Sequence, residues 1–139
     1  MRAVVDAPVA DVFKLVATDP SAWARWFAGI SAGKRTSAPP YGAGSDRSMH
    51  AWGVTFDETI LVGAENSLFT FRVNQAAFPT VKAFADEWRF DSMDAQRTRI
   101  EWTIAAVPNI CLRLFLTAGM GMVLRIGARR IAKLVRYQR

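Results

Sequence analysis

Little in this 139-residue chain can hold a metal or cross-link it: there is one cysteine, Cys111, and one histidine, His50. A single thiol excludes an intramolecular disulfide and suits a reducing cytoplasm, the expected location. Cys111 reads as a buried thiol rather than a reactive one. The two residues lie far apart in sequence, so no zinc-type metal site is expected. A Ser-His-Asp triad would need His50, and no nucleophile-elbow pattern accompanies it. Neither G-x-G-x-x-G nor a Walker pattern occurs, and no cofactor is expected. No signal peptide is expected to open the chain, because Asp6, Asp11 and Asp19 interrupt the only candidate apolar stretch. The run Ile110 to Ala128 has spanning length but carries Arg113, Arg125 and three glycines, so no membrane span is expected.

Acidic residues are also missing from one end. Residues 1–108 hold eleven Lys+Arg against twelve Asp+Glu, and residues 109–139 hold seven against none. The net charge of +6 therefore belongs to the C-terminal segment. What is abundant is apolar: 51% of residues are hydrophobic, enough for a sizeable core and too many for global disorder.

The apolar spacing changes twice along the chain. Val4-Val5-Asp6-Ala7-Pro8 reads as the end of a short strand. Val9, Val12, Phe13, Leu15 and Val16 then recur at helical spacing. Asp19-Pro20-Ser21 starts a second short helix, Ala22 to Phe27, halted near Gly29. From Ile30 to Pro108 the period is two, with strands expected over 30–37, 45–52, 54–63, 67–76, 81–91 and 97–107. The connections between them are short and turn-rich, including Phe78-Pro79, which implies an antiparallel meander. After Pro108 the period returns to 3.6, and a helix capped by Asn109 is expected to reach about Tyr137. Leu116, Met120, Val123, Leu124, Gly127, Ile131, Leu134 and Val135 share one side of it. Arg125, Arg129, Lys133 and Arg136 share the other.

This order resembles the helix-grip fold of the START-like / Bet v 1-like superfamily (SRPBCC), with polyketide cyclase/dehydrase-type proteins among its members. Val5-Asp6-Ala7-Pro8 with Val12 and Phe13, then Asp19-Pro20, Trp23 and Trp26, resembles its opening. Gly42-Ala43-Gly44-Ser45-Asp46-Arg47 resembles its glycine-led strand, and Asp57-Glu58-Thr59-Ile60 the strand after it. Arg97-Thr98-Arg99-Ile100-Glu101-Trp102 resembles the last strand, with Gln96 or Arg97 in place of a glycine. The resemblance covers essentially residues 1–139 and implies one α+β ligand-binding domain. A curved antiparallel sheet of about seven strands would grip a long C-terminal helix, with two short helices after the first strand. It implies a cavity between sheet and helix, and either a carrier or a cyclase/dehydratase-like enzyme.

Alternation assigns residues to sheet faces. Phe56, Glu58 and Ile60 go together, as do Phe69, Phe71 and Val73. Phe84, Asp86, Trp88 and Phe90 form a third set, and Thr98, Ile100, Trp102 and Ile104 a fourth. These aromatic sets either line a cavity or fill a core. Glu58 and Asp86 fall on apolar faces, where desolvation raises a carboxyl pKa and favours acid/base work. Glu58 has a structural alternative, pairing with an arginine such as Arg47. His50 reads as a rim residue. Arg113, on the apolar side of the last helix, either meets an anionic ligand group or reaches out to water. Gly119-Met120-Gly121-Met122 signals close packing or a kink, with Met120 and Met122 as adaptable lining.

The expected ligand is a small hydrophobic, aromatic or isoprenoid molecule, carried or sequestered. It would be held by Phe56, Glu58, Phe71, Phe84, Asp86, Trp88, Trp102, Arg113, Leu116, Met120 and Val123. Asp86 and Glu58 are the candidate catalytic residues if it is an enzyme. The basic stripe Arg125, Arg129, Lys133 and Arg136 reads as a solvated face, with weak contact to an anionic membrane or acidic protein as the alternative. Only Tyr137 interleaves with these charges, so no nucleic-acid partner is expected.

Overall fold

In the computed structural model the described residues are 1–76, 84–106 and 110–138, with side chains of 75, 76, 106 and 110–118 excepted. The chain opens with β1 (Arg2–Val5), a strand of four residues. Next come α1 (Val9–Phe13), continued by a π-helical turn over Lys14–Thr18, and α2 (Trp23–Trp26), led in by a 3-10 turn at Pro20–Ala22. Asp19 caps that turn, its Oδ1 accepting the Ser21 N–H at 3.0 Å.

Six strands follow: β2 (Ile30–Arg35), β3 (Asp46–Ala51), β4 (Val54–Ala64), β5 (Leu68–Ala76), β6 (Phe84–Asp94) and β7 (Arg97–Ala106). The last element is α3 (Ile110–Gln138), a helix of 29 residues. All seven strands join one antiparallel sheet in the order β1-β7-β6-β5-β4-β3-β2. The helix-grip expectation and the strand count hold, with boundaries displaced by a few residues. The Phe78-Pro79 turn and the Asn109 cap lie outside the described residues.

The face assignment holds as well, because pairing register carries one face across the sheet. Ile60 is opposite Phe71, Phe71 opposite Asp86, and Asp86 opposite Ile104. One row further, Phe69 faces Trp88 and Trp88 faces Trp102. These rows meet the short helices, where Trp23 and Trp26 stand edge-on to Trp88 at 5.5 and 6.0 Å. Edge-to-face geometry sets a ring's positive rim against its neighbour's negative face. Gly127 of α3 makes the closest approach: a Cβ there would meet the Trp26 ring at 3.0 Å.

Helix α3 docks as its periodicity requires, with Leu124, Ala128, Ile131, Ala132 and Val135 buried, and Arg125, Arg129, Lys133 and Arg136 in solvent. One expectation for this helix needs correction. Met122 is 67% exposed on the outer face, so it lines nothing. Its place one position from Gly121 turns it away from the sheet, about 200° around the helix from Met120. Among the described residues, no atom outside the helix's own backbone and the adjacent positions lies within 4 Å of where a Cβ would stand on Gly119 or Gly121. Among the described residues no helix is long and apolar enough to cross a membrane.

Candidate functional site

Three ionisable side chains are buried together on the concave face: Arg47 (2% exposed), Glu58 (6%) and Asp86 (5%). Each arrives there by strand alternation. On β3, Arg47 sits between Ser45 and Met49, both buried, and Ala51 continues the same face. Asp46 points the other way, where its Oδ1 accepts the Thr59 hydroxyl at 2.6 Å. Glu58 lies directly opposite Arg47 on β4, and Val73 opposite Glu58 on β5. The β4–β5 register slips beside Glu58 and again after Ile60. Such bulges bend strands and re-aim side chains next to functional positions.

Arg47 Nε donates to Glu58 Oε2 at 2.6 Å, the structural pairing that was one of the two readings of Glu58. The guanidinium is also enclosed by rings, its carbon 4.4 Å from the Phe71 centroid, 4.9 Å from Trp23 and 5.0 Å from Phe69. Ring faces attract a cation and, together with the carboxylate, offset the cost of taking it out of water. That offset is partial in hydrogen bonds: Nη1 and Nη2 have no partner among the described residues.

Asp86 sits one row along, opposite Phe71 and Ile104. Its Oδ1 is buried without a hydrogen bond. Burial first, and then the nearby Glu58 charge, hold its carboxyl well above the ordinary carboxylate range. The Trp102 indole, which does not close a hydrogen bond, and Arg47 pull in the opposite direction. Burial also raises Glu58, against the pull of Arg47. The geometry thus separates two carboxyls: one is tied to a cation, the other favours its protonated form. A buried acid of that kind can donate a hydrogen bond or a proton.

The tryptophans differ in the same way. Trp23 Nε1 donates to the Val16 carbonyl at 2.8 Å and Trp26 Nε1 to the Leu15 carbonyl at 3.2 Å. Trp88 and Trp102, stacked at 4.6 Å, leave both indole N–H groups buried and unpaired. Buried polar groups are normally satisfied, so five atoms on Arg47, Asp86, Trp88 and Trp102 without a partner among the described residues mark this region out.

Burial divides the expected lining residues into two groups. Phe71, Trp88 and Trp102 are fully buried with Phe69, Ile60 and Ile100. At the opposite end Phe56, Val73 and Phe84 are apolar yet only half-buried, while Ile104, Met120 and Val123 are half-buried and pack against the core. Arg47, Glu58 and Asp86 lie on the border between the two. The side chains of Arg113, Leu116 and Cys111 lie outside the described residues. His50 is a partly exposed rim residue with Nδ1 3.2 Å from Thr55 Oγ1. Among the described residues no group of three metal-ligating side chains forms.

Arg47 is the site residue that the sequence reading named only as a partner for Glu58. Its signal was present: Ser45, Arg47, Met49 and Ala51 alternate with Asp46, Ser48 and His50. A strand whose small and apolar positions share parity with one arginine places that arginine inside. A separate cleft of about 330 Å³ lies on the surface between Asp6, Pro8, Arg97 and Arg136, away from these residues.

Comparison with known proteins gives a family and a fold. A family model described as "Polyketide cyclase / dehydrase and lipid transport" matches residues 1–138. An uncharacterized protein of Mycobacterium tuberculosis, Rv2574, is 33% identical over 91 residues, covering 65% of this chain and 54% of that protein. The chain thus matches about half the length of that relative. A START superfamily protein from Mycobacterium smegmatis superposes with a TM-score of 0.76 at 14% identity, covering 100% of this chain and 97% of the other. The Zhui aromatase/cyclase from Streptomyces gives 0.76 at 18%, covering 98% and 91%. At these identities the two structures establish the fold, and the START-like expectation holds.

Proposed function

The chain belongs to the polyketide cyclase / dehydrase and lipid transport family, and from that premise we propose that it binds a small, largely apolar molecule between the open end of the sheet and the N-terminal half of α3. The observation that carries this reading is the border itself. Half-buried apolar side chains (Phe56, Val73 and Phe84) run up to a buried cluster with polar atoms that have no partner among the described residues. Ligand sites commonly join an apolar wall to a few converging polar groups. The role is that of a carrier or sequestering protein: apolar ligand surface leaves water, and Arg47 and Asp86 orient the polar end.

The test is titration of the uncharged dye Nile red against the protein and a Val73→Trp variant that fills the open end. The intact protein should enhance dye fluorescence, and the filled variant, folded by circular dichroism, should not. Equal enhancement in both would remove the proposed location.

One observation favours a second reading, an enzyme of cyclase or dehydratase type. Asp86 is a buried acid one row along the sheet from the Arg47–Glu58 pair, suited to passing a proton to a bound carbonyl compound. Asp86→Asn would then abolish turnover while binding persists. A carrier shows no turnover with either form.

A further inference from the structure

The solvent face of α3 departs from an ordinary polar helix face in two ways. Its charges have one sign: Glu101 is the last acidic residue of the chain, so no position of α3 carries a carboxylate side chain. Asp6 comes within 4.0 Å of Arg136 from the turn before α1. Arg125, Arg129, Arg130 and Lys133 are exposed and have no carboxylate within salt-bridge distance among the described residues. Like charges four residues apart, Arg125 with Arg129 and Arg129 with Lys133, oppose each other on a helix. Negative charge brought from outside relieves that repulsion.

The second departure is apolar. Met122 is 67% exposed, Ile126 36% and Tyr137 79%. At 3.6 residues per turn these three and Lys133 fall within about 60° of one another, along about 22 Å of helix. Arg125 and Arg129 border this line on one edge and Arg130 on the other. The buried residues Leu124, Ala128, Ile131 and Val135 lie on the opposite side, so the line is not the face by which α3 docks on the sheet.

Charge alone suits any polyanion, and the apolar residues make the choice. A nucleic-acid phosphate chain offers no apolar surface to Met122 and Ile126, and only Tyr137 is placed to stack on a base. A bilayer takes both kinds of side chain at once. Apolar groups enter the acyl boundary, Lys and Arg stay with the phosphates, and Tyr favours the level between. A cationic face with apolar residues along its middle matches that layering.

We propose that the solvent face of α3 is a docking surface for an anionic lipid bilayer. Met122 and Ile126 enter the headgroup boundary, and the flanking Arg and Lys side chains meet the lipid phosphates. Met122 lies in the half of α3 that the binding reading sets over the open end, so docking brings that end to the bilayer. The contact itself does not depend on what the open end holds, and it is tested without a ligand.

Vesicles of phosphatidylcholine alone, and of equal parts phosphatidylcholine and phosphatidylglycerol, are sedimented with the intact protein. The anionic vesicles should bind at least about tenfold more tightly than the neutral ones. Raising the salt from about 0.1 M to about 1 M shortens the screening length from about 10 Å to about 3 Å, and should remove most of that difference. Arg129→Glu with Lys133→Glu should weaken binding to the anionic vesicles by at least about thirtyfold, at about fivefold per charge lost near the surface. Met122→Ser, which leaves the charge unchanged, should weaken it severalfold at both salt concentrations. Circular dichroism and Nile red titration of both variants should match the intact protein, which separates this contact from the site between sheet and helix.

Equal binding to neutral and anionic vesicles, or binding to neither, would overturn the proposal. So would undiminished affinity in Met122→Ser. Tighter binding to transfer RNA or polyglutamate than to the anionic vesicles would overturn it as well, because a face that reads charge alone has no use for its apolar line.

Discussion

The two ends of the concave face are built from similar residues and do different things. At the closed end Phe69, Trp88, Trp102 and Ile100 meet Trp26, Leu124 and Ile131, and every one of them is buried. At the open end Phe56, Val73 and Phe84 are just as apolar but keep part of their surface exposed. What differs is the covering layer. Over the closed end lie α1, α2 and the C-terminal half of α3, which bring Trp23, Trp26 and Phe27 down onto the sheet. Strand alternation can make a surface apolar, but only a second layer decides whether it becomes core or wall.

The comparison can be broken most severely from the closed side. Trp26→Ala should cost about 3–5 kcal/mol, because a large, fully buried ring is lost and the Leu15 carbonyl loses its donor. A urea melt followed by circular dichroism measures it. At the border, Glu58→Ala leaves the Arg47 charge buried without its partner. A loss of about 3 kcal/mol is expected in the same melt. A loss as small as that of a surface mutation would mean that water reaches Arg47.

Asp86 sharpens the border further through pH. A carboxyl held above its unfolded value stabilises the fold at low pH and loses that contribution as pH rises through its folded pKa. The intact protein should therefore lose stability from the ordinary carboxylate range upward. Asp86→Asn should flatten that fall, becoming the more stable form at the alkaline end. Urea midpoints across the pH range check this, and identical profiles would remove the buried-acid assignment.

From the open side the expected effects on stability are smaller. Phe84→Ala should cost about 1–2 kcal/mol, since only part of its surface is withdrawn from water. It should nevertheless change Nile red binding more than Trp26→Ala does in protein that remains folded. Smallest of all, Arg129→Glu with Lys133→Glu on the solvent face of α3 should shift stability by less than about 0.5 kcal/mol. Dye binding should be unaffected.

The sheet was legible from the sequence because alternation is local. Phe84, Asp86, Trp88 and Phe90 share a face by spacing alone, and the register across β5, β6 and β7 only had to agree with it. Helix α3 was legible for the same reason, its buried and basic faces separating at 3.6 residues per turn. Met122 was misplaced because a run of four residues, Gly119 to Met122, suggested a shared role while helical geometry divides it between faces.

The site was half legible. Glu58 and Asp86 stood out as carboxylates among apolar neighbours, but their difference depends on partners from other strands. Glu58 is opposite Arg47 through the β3–β4 register, whereas Asp86 is opposite Phe71. Nor does spacing show that Trp23 and Trp26 find backbone carbonyls while Trp88 and Trp102 do not. Closed core and open wall share one composition.

The central claim is that the open end receives an apolar molecule, and native mass spectrometry of the protein as purified from cells tests it most directly. The intact protein and Val73→Trp would be compared, each then denatured and extracted to identify what was held. The account predicts a bound molecule of discrete mass on the intact protein that is missing from the filled variant. A bare intact protein, or the same bound mass on both forms, would contradict it.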